Sequence, residues 1–407
     1  MGVFTRSEPS LFSDQQFLRV WAVGCFTGIV RWLELLAFGL YAFDLTASPV
    51  LVALLALLRF APLAMFGVFV GAVADLFDAR KLLIAGLAGI VLVNTGMLVL
   101  FIFDLAGYWH VAAATFLSGV FWSGDLPLRR RMIGELVPFE RLAEAMALDN
   151  ATSNGTRMLG PLVGGLIYQT VSVTGVFALG AVLHGLSLAL ILSVGYAAVL
   201  DRPEAGSLLM RPIRGAARAV SFSWASSDVM RIFAVTIVFN LWGFPFVSMV
   251  PVIGKEQLAL PDASIGYLSA LEGAFALIGA VVLARIARPA AFRKLYYYGL
   301  WGHLGAVFFI GMVPGIVPMA VGLVAAGSFA ACFSTMQATL IYSVAPPEMR
   351  GRLLGLMTIC IGTGVIGFAN IGYTAELFGA SNALWIVALE GVIPMVLIGW
   401  KWRELNT

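Results

Sequence analysis

The sequence predicts an all-α membrane protein in which about twelve transmembrane helices form two similar six-helix bundles. Of its 407 residues, 60% are hydrophobic and only 12% are charged, whereas soluble domains carry roughly 25% charged residues. Apolar runs of about 17–25 residues recur along the chain, and each is long enough to cross the hydrocarbon core as a helix. An internal repeat divides these runs into two sets of six.

The breaks between the apolar runs alternate in charge. The predicted spans cover residues 17–43, 50–73, 82–103, 109–132, 142–168, 174–199, 230–253, 264–286, 294–313, 316–344, 352–378 and 382–400. Lys and Arg collect in every second break, and Lys255 is the exception on the other side. Because cations are retained on the cytoplasmic side, this pattern predicts a multi-pass protein of the plasma membrane (the inner membrane in a bacterium) with both termini in the cytoplasm.

A polar segment near the middle of the chain separates the two sets of spans. We therefore expect an N-terminal six-helix bundle at residues 1–200, a cytoplasmic linker at 201–229 and a C-terminal six-helix bundle at 230–407. The basic residues of the linker suit an amphipathic helix on the membrane surface, and a plain connector is the alternative.

Two loops repeat in the second half of the chain. "GAVADLFDAR" (71–80) aligns with "GAVVLARIAR" (279–288), and "VPFERLAEAMAL" (137–148) aligns with "APPEMRGRLLGL" (345–356). Both pairs share one offset, which is close to half the chain length. The halves are thus predicted to be parallel repeats, as in transporters whose substrate site lies between the repeats near mid-membrane.

Three motifs resemble those of the major facilitator superfamily. "GAVADLFDARK" (71–81) resembles the loop motif after its second span, and "GTRMLGPLVGG" (155–165) resembles the Gly-Pro motif of its antiporters. "PPEMRGRLLGL" (346–356) resembles the loop before the eleventh span in its bacterial drug and siderophore exporters. The resemblance spans about residues 15–400, and it implies the major facilitator fold and secondary transport by alternating access.

The resemblance also implies a cytoplasmic latch formed by Gly71, Asp75, Arg80 and Lys81. Gly71 would let the second span approach a neighbouring helix, and Asp75 would accept hydrogen bonds from the start of the eleventh span. Arg80 and Lys81 would pair with carboxylates or lipid phosphates. The alternative is that these two cations only set the topology.

Small residues in the fifth span form a predicted helix-packing motif. Its members are Gly155, Gly160, Pro161, Gly164 and Gly165. They offer a thin surface that can kink. The resemblance implies that this helix packs against the second half and helps to seal it, and ordinary helix packing is the alternative.

Ionisable residues inside a span usually face a cavity or a partner. Arg31 and Glu34 are three residues apart in the first span, hence on one helix face, which continues to Tyr41. We expect Glu34 to carry protons, because an apolar environment favours an uncharged carboxyl group; a permanent Glu34–Arg31 pair is the alternative. Arg157, one turn after Asn154, is predicted to pair with Glu34 or to bind an anionic group of the cargo.

Other polar residues within the spans have less specific predicted roles. Those predicted to line the cavity are Tyr41, Arg59, Asn240, Glu272, Gln337 and Asn370. Asp125, Arg129 and Asp149 are predicted to form the salt-bridge network of an inner gate, whereas His184 and His303 are expected to be packing residues. We find no phosphate-binding loop, zinc-ligand spacing or nucleophile elbow, and we therefore expect no enzyme, no cofactor and no metal site.

The sequence thus predicts a proton-coupled exporter of small amphipathic compounds that resemble drugs or siderophores. We expect it to be monomeric in the lipid bilayer, to bind protons and a small molecule, and to bind no nucleic acid. One alternative is an importer or facilitator of an anionic metabolite or lipid that uses Arg31, Arg59 and Arg157. Another, from a different class, is a membrane scaffold that transports nothing.

Overall fold

The computed structural model describes residues 11–76, 78–195 and 210–402, except for the side chains of residues 67–76, 139, 210–217 and 347–348. Within these ranges the secondary structure is entirely helical, without a β-strand. The all-α prediction is confirmed.

Five helices make the first half. They are α1 (Gln15–Thr46), α2 (Pro49–Leu76), α3 (Ala79–Ile102), α4 (Tyr108–Leu136) and α5 (Phe139–Leu192). The 54 residues of α5 contain two spans, because Ser172 interrupts the helical geometry with φ 66° and ψ −166°. The sharp turn at Ser172 ends the fifth span and starts the sixth.

The second half begins with a short helix, α6 (Met210–Ala225), and its seventh span is irregular. That span consists of α7 (Ser227–Val238), a π-helical segment (Phe239–Gly243), a 3-10 segment (Phe244–Ser248) and α8 (Met249–Glu256). Pro245, which has no N–H to donate, lies at the break. The remaining helices are α9 (Asp262–Ile286), α10 (Phe292–Met312), α11 (Ile316–Val344), α12 (Pro347–Gly362), α13 (Gly364–Phe378) and α14 (Ala380–Lys401).

The helices account for the predicted number of spans. Ten helical segments of the described chain are long and apolar enough to cross a membrane. One of them, Glu140–Leu192, is 53 residues long and provides two spans. With α10, whose first turns carry Arg293, Lys294 and three tyrosines, the total is twelve.

The spans pack as two bundles that meet along a seam. In the first half α1 and α3 pack on α5, and α2 packs on α4; in the second half α10 packs on α11 and α14, and α9 packs on α11. Across the seam α5 contacts α9, α2 contacts α12 and α13, and α1 contacts α8. We call the side where α1 begins and α14 ends the terminal side, and the side with the α1–α2 and α13–α14 turns the opposite side.

Candidate functional site

An ion pair joins the two halves at mid-depth. Arg157 of α5 donates from Nε to Oε2 of Glu272 at 2.8 Å and from Nη2 to Oε1 at 2.5 Å. The side chains keep only 15% and 7% exposure. The guanidinium group also lies 5.2 Å from the ring centre of Trp32 and 5.9 Å from that of Phe244. Bidentate and largely desolvated, this pair is strong as long as the halves stay together.

Glycines bring the backbones of α5 and α9 close enough for this pair to form. A Cβ atom on Gly273 would lie 2.6 Å from the carbonyl oxygen of Arg157. One on Gly165 would lie 2.9 Å from the Cα atom of Gly266. These distances are too short for any larger side chain, so the two helices are in direct backbone contact across the seam.

The ion pair forms the polar end of a cavity between the halves. Ser269 is a further polar residue of its wall. The rest of the wall is mainly apolar and includes Leu35, Leu36, Pro161, Phe246, Val250 and Leu323. An apolar pocket with a few polar groups is the usual form of a small-molecule site.

The first bundle pairs its own buried charges, in a pattern that differs from the predicted one. Arg59 of α2 donates to Glu34 at 2.8 Å, with both side chains buried. Arg31 instead reaches α4, where it lies 3.3 Å from Asp125 and 4.8 Å from the ring centre of Trp122. The alternative, a permanent Glu34–Arg31 pair, is not formed, because each residue meets a partner on a neighbouring helix. A pair between Glu34 and Arg157 is likewise not formed.

Asp125, Arg129 and Asp149 do lie together, as predicted for an inner gate. Arg129 hydrogen-bonds to Asp149, and its Nε atom lies 3.9 Å from Asp125. Arg130 also donates to Asp149, at 2.9 Å. These pairs link α4 to α5 within the first half, and their role as a gate stays a prediction.

Two other predicted residues of the first half contact their own bundle. Tyr41 packs edge-on against Phe101 of α3, with 5.6 Å between ring centres. Asn154 donates to the carbonyl oxygen of Asn150 at 3.1 Å and is half-buried. The structure thus brings neither residue into contact with Glu34.

Predicted polar residues of the second half form two separate clusters. Asn240 donates to the carbonyl oxygen of Thr236 at 2.8 Å, and Gln337 donates to the hydroxyl oxygen of Thr236 at 3.2 Å. Asn370 donates to Glu390 of α14 at 2.7 Å. Glu390 was missed from the sequence, although a carboxylate in the middle of the twelfth apolar run was a signal for it.

The helix-packing motif has two contact faces. A Cβ atom on Gly164 would lie 2.9 Å from the carbonyl oxygen of Leu33, and Gly160 is equally close to α1. Gly165 faces α9 of the other half, while nothing lies within 4 Å of a Cβ atom on Gly155. The motif therefore packs within its own bundle and across the seam.

The predicted latch is only partly described. The side chain of Asp75 is not among the described ones, and Gly71, which has none, lies in the same stretch. Lys81 is exposed. Arg80 donates to the last carbonyl groups of α5, including that of Leu192 at 2.7 Å. These carbonyls at the helix end lack partners within their own helix, and the predicted pairing of Arg80 with a carboxylate or a lipid phosphate stays a prediction.

On the opposite side a lysine ties the halves together. Lys255 at the end of α8 lies 2.9 Å from Asp44 of α1 and 2.6 Å from Asp262 of α9. Tyr168 donates to Asp44 at 2.8 Å. The one cation that broke the charge pattern of the loops is thus held by two carboxylates, one from each half.

Further contacts close the same side. Ser48 donates to Glu376 at 3.0 Å, and the backbone N–H of Ala263 donates to Gln169 at 2.9 Å. The hydrogen bonds and ion pairs that join described residues of the two halves lie either here or at mid-depth. The opposite side is therefore closed.

Known proteins match this chain over most of its length. The family model described as Major Facilitator Superfamily matches residues 20–369. The chain is 21% identical to the staphyloferrin A transporter of Staphylococcus aureus (83% of this chain, 84% of that protein). It is 22% identical to macrolide efflux protein A of Streptococcus pyogenes (94% and 96%) and 26% identical to the enterobactin exporter EntS of Shigella flexneri (82% and 80%).

A solved structure shows the same fold. A bacterial homologue of the human lysosomal transporter Spinster, in an inward-facing and unoccupied conformation, superposes with a TM-score of 0.77. The alignment covers 98% of both chains at 13% sequence identity. This likeness concerns the arrangement of the helices alone.

Proposed function

This chain belongs to the Major Facilitator Superfamily, and on that premise we propose that it exports small amphipathic compounds in exchange for protons. The predicted family and fold are confirmed, and the protein is a multi-pass membrane transporter for small molecules, not an enzyme. Export, proton coupling, the class of cargo, a monomeric state and a location in the inner membrane are parts of the proposal.

The observation that carries the proposal is the Arg157–Glu272 pair. It joins the two halves inside an apolar cavity, so the halves cannot part at this depth without breaking it. Protonation of Glu272 removes the negative charge of the ion pair and releases Arg157. A proton can therefore be exchanged for cargo at a contact that the rocking motion itself opens and closes.

The walls of the cavity and the relatives support an amphipathic cargo. Leucine, valine and phenylalanine side chains form most of the wall, next to a single ion pair. The similar proteins include a macrolide efflux protein and an enterobactin exporter. The positive-inside rule predicts that both termini are cytoplasmic, and the closed opposite side would then face outward.

Glu34 is a second candidate proton carrier. It lines a smaller pocket with Arg59 and, from the seventh span of the other half, Ser248 and Pro251. Its partner Arg59 belongs to the same half, so this pair can persist while the halves move. Glu272 is the stronger candidate, because its arginine comes from the other half.

Transport in proteoliposomes under an imposed pH gradient tests the proposal, with a macrolide as the probe. We expect the gradient to drive accumulation by the wild type, and Glu272→Gln to lose this dependence. Glu256→Gln is the matched control, because Glu256 is exposed at the end of α8 and should behave as the wild type. Transport that is indifferent to the gradient contradicts proton coupling.

One observation favours a second function, transport of an anionic compound. Trp32 and Phe244 flank Arg157, so this cation stays in place as an anion site when Glu272 withdraws. That function predicts thermal stabilisation by an anionic ligand, lost in Arg157→Ala, and transport without a pH gradient. A mere scaffold would tolerate both Arg157→Ala and Glu34→Gln.

A further inference from the structure

A carboxylate of the twelfth span lies apart from the cavity described above. Glu390 is the eleventh of the 22 residues of α14 and is partly buried. Its Oε2 atom accepts hydrogen bonds from the indole N–H of Trp242, at 3.0 Å, and from the amide of Asn370, at 2.7 Å. Both donors are uncharged, and they come from the seventh and eleventh spans.

The other carboxylates near mid-depth have arginine partners. Glu34, Asp125, Asp149 and Glu272 each lie within ion-pair distance of at least one arginine. For Glu390, the part of the chain that the structure describes offers no lysine or arginine at that distance. A carboxylate without a counter-charge is rare at bilayer depth, and such a residue usually marks a functional site.

The hydrogen bonds of Glu390 leave one of its two carboxyl oxygens free to bind a proton. Both N–H groups point to Oε2, and within the described residues Oε1 has no hydrogen-bond partner. In this arrangement Oε1 can take up a proton, while Oε2 accepts both hydrogen bonds as the carbonyl oxygen. We propose that Glu390 is a second proton-binding site of the transporter, located in the second half; this inference rests on the proposed function.

The site is linked to the central ion pair through the irregular part of the seventh span. Trp242 belongs to the π-helical segment, and such segments often mark functional sites. The adjoining 3-10 segment begins with Phe244, whose ring centre lies 5.9 Å from the guanidinium group of Arg157. A Cβ atom on Gly391 would lie 3.0 Å from the Cβ atom of Trp242, so α14 contacts this segment directly.

Other titratable groups on the elements around α14 are occupied or distant. His303 of α10 lies at a comparable depth, and its Nδ1 atom is 3.0 Å from the carbonyl oxygen of Ala326. Tyr297 donates to the carbonyl oxygen of Met395. The charged residues of α7, α8, α10, α13 and α14 lie near helix ends: Asp228, Arg231, Arg293, Lys294 and Lys401 on the terminal side, and Lys255, Glu256 and Glu376 on the opposite side. None of these is placed to neutralise Glu390.

Infrared spectroscopy of the reconstituted full-length protein tests proton binding without any cargo. At neutral pH we expect a carbonyl band of a protonated carboxyl group that is absent in Glu390→Gln and retained in Glu256→Gln. Trp242→Phe should shift this band to higher frequency, because the carbonyl oxygen loses one donor. The proposal is overturned if the band persists in Glu390→Gln, if the wild type has none, or if Trp242→Phe leaves its position unchanged.

Proteoliposome transport then tests whether this proton is coupled. In Glu390→Gln, which keeps the hydrogen-bonding geometry of the neutral acid, we expect the stimulation by a pH gradient to fall while downhill cargo movement continues. Full gradient stimulation in this variant contradicts a coupling role for Glu390. If transport by the wild type does not depend on the gradient, the proposed exchange mechanism is overturned. The infrared result then still decides whether Glu390 binds a proton.

Discussion

The two halves of the molecule have similar folds but different electrostatics. The first half pairs Glu34 with Arg59 and Arg31 with Asp125 internally, whereas its Arg157 pairs across the seam. In the second half, Glu272 depends on an arginine of the other half, and Glu390 depends on uncharged donors. The proposed rocking of the halves would leave the first set of contacts intact and break the contact of Glu272. The comparison teaches that, among the described mid-depth carboxylates, Glu272 has its arginine partner in the other half.

One pair of equivalent positions shows how the halves diverged. The offset that aligns Gly71 with Gly279 places Phe239 and Phe333 at the positions of Arg31 and Asp125. These phenylalanine rings stack with 4.0 Å between their centres. An ion pair in one half thus corresponds to an aromatic pair in the other, which fits the finding that apolar groups can replace a buried ion pair without loss of stability.

The largest effect is expected where one partner of a buried network is removed. Asp125→Ala leaves Arg31 without its carboxylate partner. It also removes one of the two carboxylate partners of Arg129. We expect the free energy of unfolding to fall by about 3–5 kcal/mol, the usual cost of a broken buried pair. Thermal or denaturant unfolding of the purified protein measures it.

The double variant Arg31→Phe with Asp125→Phe is the matched test of the comparison. It transfers the aromatic pair of the second half into the first, and we expect it to recover most of the stability lost in Asp125→Ala. A double variant no more stable than the single one would show that the two positions are not equivalent.

A smaller effect is expected at the seam between α5 and α9. Gly165→Ala places a methyl group 2.9 Å from the Cα atom of Gly266, and backbone cannot yield as a side chain can. We expect the closed contact between α5 and α9 to be destabilised by about 1–3 kcal/mol, as in other overpacked interiors. Distances between spin labels on the opposite side should lengthen. Gly155→Ala, which meets open space, should leave them unchanged.

The smallest effect is expected on the opposite side. Asp44→Asn removes one carboxylate from Lys255, and the Asp44 side chain is 39% exposed. Exposed ion pairs contribute about 1 kcal/mol or less, so the opposite side should open by no more than about fivefold. Thiol labelling of a cysteine introduced at Ser48 reports this opening. Asp104→Asn, in an exposed turn, should not change the labelling.

Most of the fold followed from the sequence because the membrane fixes the length and polarity of each span. The partners of the buried charges did not follow. Arg31 and Glu34 share a helix face, yet only the positions of α2 and α4 decide that Arg59 and Asp125 become their partners. The same limit applies to Arg80, whose spacing did not reveal that the end of α5 lies beside it.

In the candidate site, single residues were predicted and their combinations were not. Arg157 and Glu272 were both predicted, but as separate cavity residues, because their contact depends on the packing of α5 against α9. Lys255 is an exception to the charge pattern of the sequence. Its pairing with the carboxylates of Asp44 and Asp262 depends on how the helix ends meet on the opposite side.

The central claim is that the Arg157–Glu272 contact breaks and re-forms in every transport cycle. Cross-linking of cysteines at these two positions, with a short bifunctional thiol reagent that can be cleaved by reduction, tests it in proteoliposomes. The two cysteines replace the ion pair that is proposed to couple transport to protons. The readout is therefore downhill movement of the macrolide. We predict that cross-linking stops this movement and that reduction restores it. Unchanged transport by the cross-linked protein would contradict the claim.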